Sequence, residues 1–185
     1  MKLGIIGSGK IVHDFLSIAD QIPNLELAAL STTKRSHQIG LELQEKYNIS
    51  KLYDNNTDLF NDANVDTVYV AVPNSLHFSI AKAALEAGKN VICEKPFTLQ
   101  TRELVELAEL AAAHEVLLME AITNQYLANY QGIKAQLETL GELKVIECNY
   151  SQYSSRYDLF KVGTVLPAFN PKMGGGALMD INIYN

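Results

Sequence analysis

Positive charge is scarce in this chain. Lys and Arg number 15 against 21 Asp and Glu, giving a formal net charge of −6 and a pI near 5.2. That balance argues against a nucleic-acid surface. An anionic ligand would have to be held by local backbone dipoles and a few placed cations. Cysteine is almost missing: Cys93 and Cys148 stand far apart without CxxC spacing, so neither a zinc site nor a disulfide framework is indicated. No apolar run approaches the ~20 residues of a membrane span. The opening residues lack the long apolar stretch of a signal peptide, and the cytoplasm is the expected compartment. Internal repeats and low-complexity tracts are absent too. What remains is 185 residues, 48% hydrophobic and 19% charged, the composition of an ordinary soluble globular chain with a core. The length suits about one to one and a half domains of ~100–200 residues each.

The first thirty residues set the pattern. The run Lys2-Leu3-Gly4-Ile5-Ile6 leads directly into Gly7-Ser8-Gly9-Lys10-Ile11-Val12. An amphipathic segment follows to Asp20, with Ile11, Phe15, Ile18 and Ala19 spaced as one helical face. A second apolar run spans Leu25 to Leu30. Strand, glycine turn, helix and strand open a dinucleotide-binding βαβ unit. Gly7 would permit the tight turn. Gly9 would let the backbone approach a pyrophosphate met by the free N–H groups beginning near Lys10 and Ile11. Val12 stands where the pattern usually has a small residue. The same two glycines also suit a plain βα turn.

After that second strand come Ser31-Thr32-Thr33-Lys34-Arg35. An NAD-type unit has an acid here to bind the ribose hydroxyls, and this chain has none. Hydroxyls with a lysine and a guanidinium suit a 2′-phosphate instead, which favours NADP over NAD. A solvated helix start with incidental basic residues would look the same.

The alternation then continues. A helix runs to about Tyr47, a short strand covers 51–53, and a helix capped near Asn55 to Thr57 follows. Residues 65–72 are apolar on both faces, as in a central parallel strand. Pro73 stops that strand, and Asn74 or Ser75 can cap a helix over 76–87 that Gly88 ends. A strand at 90–93, a helix at 101–113 with Leu104, Leu107, Ala108 and Ala111 on one face, and a strand at 116–119 complete the set. Six strands alternating with helices predict an α/β fold, a doubly wound parallel Rossmann sheet over residues 1–121. Residues 122–185 form a second, incomplete α/β unit. It holds a helix over 126–140, an alternating strand over 143–150 with one covered face, loop over 154–173, and a helix starting after Gly174-Gly175-Gly176. So short a unit makes a poor independent core.

Strand 90–93 ends in Glu94-Lys95-Pro96. Ligands of open α/β sheets bind beyond the carboxyl ends of the strands, so Lys95 points at the crevice by position. It could hydrogen-bond a substrate oxygen and favour an alkoxide, or be a surface lysine in a βα loop.

Taken together, Gly7-x-Gly9, Val70-Ala71-Val72-Pro73-Asn74-Ser75-Leu76-His77, Glu94-Lys95-Pro96 and Gly174-Gly175-Gly176-Ala177-Leu178-Met179-Asp180-x-x-x-Tyr184 resemble the Gfo/Idh/MocA oxidoreductases. The resemblance covers the whole chain but only about the first half of a family member. It implies a Rossmann domain followed by a substrate and oligomerisation domain with an open-faced sheet, starting near Ile122. It implies NADP or NAD as cofactor and a sugar, polyol or small diol as substrate. Catalytic roles fall on Lys95, Asp180 and Tyr184, and no metal is required. Many members have histidine where Tyr184 stands, and tyrosine there is similar to the dihydrodiol dehydrogenase branch. Tyr184 would exchange the hydroxyl proton, on one helix face with Asp180 at i, i+4. Cofactor contacts are expected from Gly7, Gly9, Lys10, Ile11, Ser31, Thr32, Thr33, Lys34, Arg35, Pro73, Asn74, His77 and Glu94, with His77 structural or cofactor-side rather than catalytic. Glu120 and Asn124 lie at the crossover between domains, and Tyr153 and Arg156 could face substrate or solvent. His13, His37 and His114 receive no role. Asn182 replaces a glycine common in the second motif. Since the rest of the open-faced sheet is missing from these residues, little or no turnover is expected from this chain alone, and a homo-oligomer is possible. The competing reading is a non-catalytic dinucleotide-binding module. A third leaves 122–185 without a fold.

Overall fold

A computed structural model describes residues 1–151 and 153–184. The chain divides into two units, Met1–Glu120 and Ala121–Asn185, taken here one at a time.

The first unit is built on six strands: β1 (Lys2–Ile6), β2 (Glu26–Ser31), β3 (Lys51–Tyr53), β4 (Thr67–Val70), β5 (Asn90–Glu94) and β6 (Leu118–Ala121). They form one sheet in the order β3-β2-β1-β4-β5-β6, two βαβ halves wound outward from β1. The β1–β2, β1–β4, β2–β3 and β4–β5 pairs are all parallel, so their carboxyl ends share one edge. Burial explains the composition: Leu3, Ile5, Leu30, Val68, Val70 and Val91 are almost wholly enclosed, because helices cover both faces of the sheet. Those helices are α1 (Lys10–Leu16), α2 (His37–Tyr47), α3 (Asn56–Asn61), α4 (His77–Glu86) and α5 (Thr101–Ala113). No helix among the described residues is long and apolar enough to cross a membrane.

Three local expectations need correction. The face that α1 and the following turn bury is Val12, Leu16 and Ala19, while Ile11 and Ile18 stay exposed. The helix is seven residues long, too short to carry the longer periodic stripe, and Val12 is core. In α5 the buried pair is Leu107 and Ala111, with Leu104 and Ala108 at the surface. Neither Asn74 nor Ser75 caps α4. They lie in a 3₁₀ turn, Asn74–Leu76, that Pro73 precedes, and no side chain caps the helix start. Asn55 does cap α3, accepting from Asp58 N–H at 2.9 Å.

In the second unit, α6 (Ala128–Gln136) continues as a 3₁₀ turn to Leu140, and α7 (Tyr157–Lys161) and α8 (Ala177–Asp180) are short. Tyr153, Tyr157, Phe160 and Phe169 form a cluster of rings. The strand expected over 143–150 does not form. A strand needs a neighbour for its N–H and C=O groups, and none pairs with it among the described residues. Val145 and Ile146 are accordingly exposed. Gly175 is fixed by close packing: a Cβ there would stand 2.2 Å from Pro167 O.

Candidate cofactor and active site

The shared carboxyl edge of the sheet gathers the chemistry-bearing loops of the first unit. After β1, Gly7 has φ +116, and a Cβ would meet Ala71 O at 2.2 Å. Its N–H donates to Ser31 O at 3.0 Å, tying the glycine turn to the end of β2. Gly9 differs. Its φ of −78 suits any residue, and among the described residues no atom beyond its chain neighbours lies within 4 Å of the place a Cβ would occupy. Neither backbone nor packing demands glycine there, whereas a dinucleotide laid against the backbone does. The local architecture therefore fits the cofactor. Lys10 and Ile11 are exposed beside it, and Lys10 Nζ already pairs with Asp14 at 2.7 Å.

The end of β2 sorts its residues by face. Ser31 is buried and donates to Asn56 Oδ1 at 2.7 Å. Thr32 is buried against α2, where the space a Gly40 side chain would need is filled by Thr32, and its Oγ1 has no hydrogen-bond partner. Both side chains are enclosed by packing, which leaves their backbone groups to face the carboxyl edge. Thr33 caps the next turn reciprocally with Ser36. Lys34 and Arg35 are exposed.

The Glu94-Lys95-Pro96 loop is held at several points. Tyr69 donates to Glu94 Oε1 at 2.6 Å, and Lys95 N–H to Glu94 Oε2 at 3.3 Å. Burial first, then the Glu94 carboxylate, pushes the Tyr69 hydroxyl pKa upward, so Tyr69 serves as a donor. Phe97 N–H donates to Glu120 Oε1 at 3.0 Å, and Leu99 N–H to Glu103 Oε2 at 3.2 Å. The Lys95–Pro96 peptide is cis. Lys95 itself is half-buried.

His77 ties this loop to the one after β4. Its Nδ1 lies 2.8 Å from Pro96 O and its Nε2 2.9 Å from Val72 O. With the residue fully buried, the ring faces two backbone carbonyls and has no surface left for a cofactor. Of the structural and cofactor-side places expected for it, His77 takes the structural one, holding the Pro73 and Lys95 loops together. Glu94 and Glu120 likewise spend carboxylate oxygens on the loop itself. Asn74 is half-buried in the Pro73 turn.

In the second unit α8 stops at Asp180, and a separate 3₁₀ turn, Asn182–Tyr184, follows. Asp180 and Tyr184 therefore do not share one continuous helix face. Ile181, at φ −115, breaks the helix between them. Tyr184 O accepts from Asn124 Nδ2 at 3.2 Å, and its ring packs on Tyr150 at 5.1 Å. Tyr153 donates to Asp158 at 2.7 Å, and Arg156 precedes α7 on the surface.

Several participants were not visible in the sequence. Tyr69 and Glu103 became partners of the lysine loop only through strand register and helix placement. His37, given no role, has Nδ1 2.6 Å from Asp54 Oδ1.

Residues 1–122 match an oxidoreductase family with an NAD-binding Rossmann fold, Gfo/Idh/MocA. The chain is 38% identical over 184 residues to the scyllo-inositol 2-dehydrogenase (NADP(+)) IolU of Bacillus subtilis, covering 100% of this chain and 56% of that protein. It is 29% identical over 185 residues to the trans-1,2-dihydrobenzene-1,2-diol dehydrogenase of Xenopus tropicalis, covering 99% and 54%. This chain thus spans little more than half the length of these relatives. The crystal structure of KijD10, a 3-ketoreductase from Actinomadura kijaniata in complex with NADP, superposes with a TM-score of 0.68 at 26% identity. The match covers 74% of this chain and 43% of that one.

Proposed function

This chain belongs to the Gfo/Idh/MocA oxidoreductase family, and from that premise we propose that the protein transfers a hydride between a nicotinamide and a carbinol or carbonyl carbon. The substrate is a sugar, polyol or small diol, in keeping with the inositol and dihydrodiol named for its relatives. The cofactor is NADP, supported by the NADP(+) in the name of one relative and by Lys34 and Arg35 beyond an acid-free β2. The observation that carries the reading is the lysine loop. Lys95 follows β5 at the carboxyl edge, and Tyr69, Glu94, His77 and Glu120 fix the backbone around it.

When bound, the nicotinamide supplies the hydride acceptor or donor. Gly7 and Gly9 leave room for the dinucleotide backbone, and Pro73 and Asn74 border the same edge. Thr33 shapes the turn that presents Lys34 and Arg35 to the 2′-phosphate. Lys95 Nζ donates to the substrate oxygen and holds negative charge that develops there. Tyr184 Oη exchanges the hydroxyl proton and Asp180 orients the substrate beside it. Residues 122–185 begin the substrate and oligomerisation domain. The cytoplasm is the compartment we assign, consistent with Cys93 and Cys148 both being free.

The test is the substitution corresponding to Lys95→Met in a full-length relative, assayed with NADP(+) and a panel of polyols and diols. Loss of kcat by about 10²-fold or more, the usual scale for such a group, with dinucleotide affinity retained, is expected. Unchanged turnover would remove Lys95 from the mechanism. Dinucleotide binding with no turnover on any such substrate would favour the non-catalytic module.

A further inference from the structure

We propose that the His37–Asp54 pair sets which of the two nicotinamide dinucleotides this protein takes. The proposal rests on the reading of Lys34 and Arg35 as a 2′-phosphate site and names the group that guards it. β2 carries no acid at its carboxyl end, where a carboxylate ordinarily binds the ribose hydroxyls. The fold supplies one from the next strand. Ser31 is in register with Tyr53, and Thr32 N–H donates to Tyr53 O at 3.0 Å. Asp54 therefore leaves β3 one residue past the last pair, alongside the Thr32–Thr33 corner.

A free carboxylate at that corner would accept ribose hydroxyls and repel a 2′-phosphate. Asp54 is not free. Its Oδ1 lies 2.6 Å from His37 Nδ1, and since a carboxylate only accepts, the ring nitrogen donates. His37 opens α2, directly after the turn that carries Lys34 and Arg35. One side of the corner thus presents cations while the next residue of the helix occupies the competing acid. The two side chains are 42% and 53% exposed, so a ligand can reach them and their removal leaves the core untouched. The nearby Asp58 carboxylate has its own partner, Asn55 Nδ2, at 2.7 Å, which leaves Asp54 as the acid that the imidazole controls.

The consequence is a coupling between two residues and one phosphate. Without the imidazole, Asp54 would oppose the 2′-phosphate and welcome the ribose diol. Without the carboxylate as well, that opposition would vanish. A double-mutant cycle separates this from a direct contact between His37 and the ligand.

The experiment titrates this chain and its H37A, D54N and H37A/D54N variants with NADPH and NADH, following nicotinamide fluorescence, with thermal unfolding as a check of the fold. In H37A, NADPH affinity should fall about three- to fivefold, the scale of an exposed charge contact, with NADH unchanged or tighter. D54N should keep or improve NADPH binding, and the double variant should recover wild-type selectivity. An unchanged NADPH-to-NADH ratio in H37A overturns the proposal. So does a double variant as weak for NADPH as H37A, because His37 would then act on the phosphate itself. Equal loss of both dinucleotides in H37A also overturns it. A wild-type chain that binds dinucleotide without preferring NADPH sinks the phosphate reading first, and this proposal with it. Preference in the wild type with no response in H37A sinks only the pair.

Discussion

At the scale of single residues, the two glycines of the first turn separate stability from binding. Gly7 answers to the protein: its φ is +116 and a side chain would strike Ala71 O. Gly7→Ala should cost about 2–4 kcal/mol through strained backbone and overpacking, read by urea denaturation. Gly9 is the one we propose answers to the ligand. Gly9→Ala should change stability by less than about 1 kcal/mol, yet weaken NADPH binding at least about tenfold, or about 1.4 kcal/mol. A large stability loss at Gly9 would show that packing, not a cofactor, selects it. The sequence pattern assigned Gly7 to the turn and Gly9 to the ligand but also suited a plain βα turn, because what surrounds each Cβ position is not written in the pattern. His77 shows the same limit. Its place after Pro73-Asn74 was legible, whereas its two carbonyl partners, Val72 O five residues back and Pro96 O nineteen ahead, depend on how β4 and β5 pair.

At the scale of elements, β3 and the end of α3 are joined by Asp62. This carboxylate accepts from Lys51 Nζ at 2.9 Å, Tyr53 Oη at 3.0 Å and Asn64 N–H at 2.9 Å. Lys51 chiefly, then Asn64, holds its pKa down from 3.8 to about 2. A depressed carboxylate stabilises the fold fully above its unfolded pKa and loses that contribution as pH falls through the folded one. Wild-type stability should therefore drop between pH of about 4 and about 2, and Asp62→Asn should flatten the profile in that window. Urea midpoints at a series of pH values check it. Equal slopes for both proteins would remove Asp62 from the acid response.

Elements buried on both faces were the most legible, because β1, β2 and β4 announce themselves as apolar runs wherever helices cover a parallel sheet. Residues 143–150 alternate just as a half-covered strand should, but a strand is a property of two segments in register, and no second segment pairs with them among the described residues. The Asp180–Tyr184 spacing failed for a related reason. A four-residue separation shares a helix face only while the helix continues, and α8 ends at Asp180.

At the scale of the molecule, the first unit carries a complete sheet in 3-2-1-4-5-6 order and every proposed cofactor contact. The proposed acid, Tyr184, and its neighbour Asp180 belong to the second. Cofactor binding is thus assigned to residues of one unit, while the proposed chemistry draws on residues of both, and the relatives are nearly twice as long. Binding should accordingly be measurable in these 185 residues by themselves. The most direct measurement titrates this chain with NADPH and with NADH and follows nicotinamide fluorescence. Saturable binding, tighter for NADPH by about tenfold or more, is the predicted result. Tighter binding of NADH would contradict the reading of Lys34 and Arg35, and binding of neither would contradict the cofactor site itself.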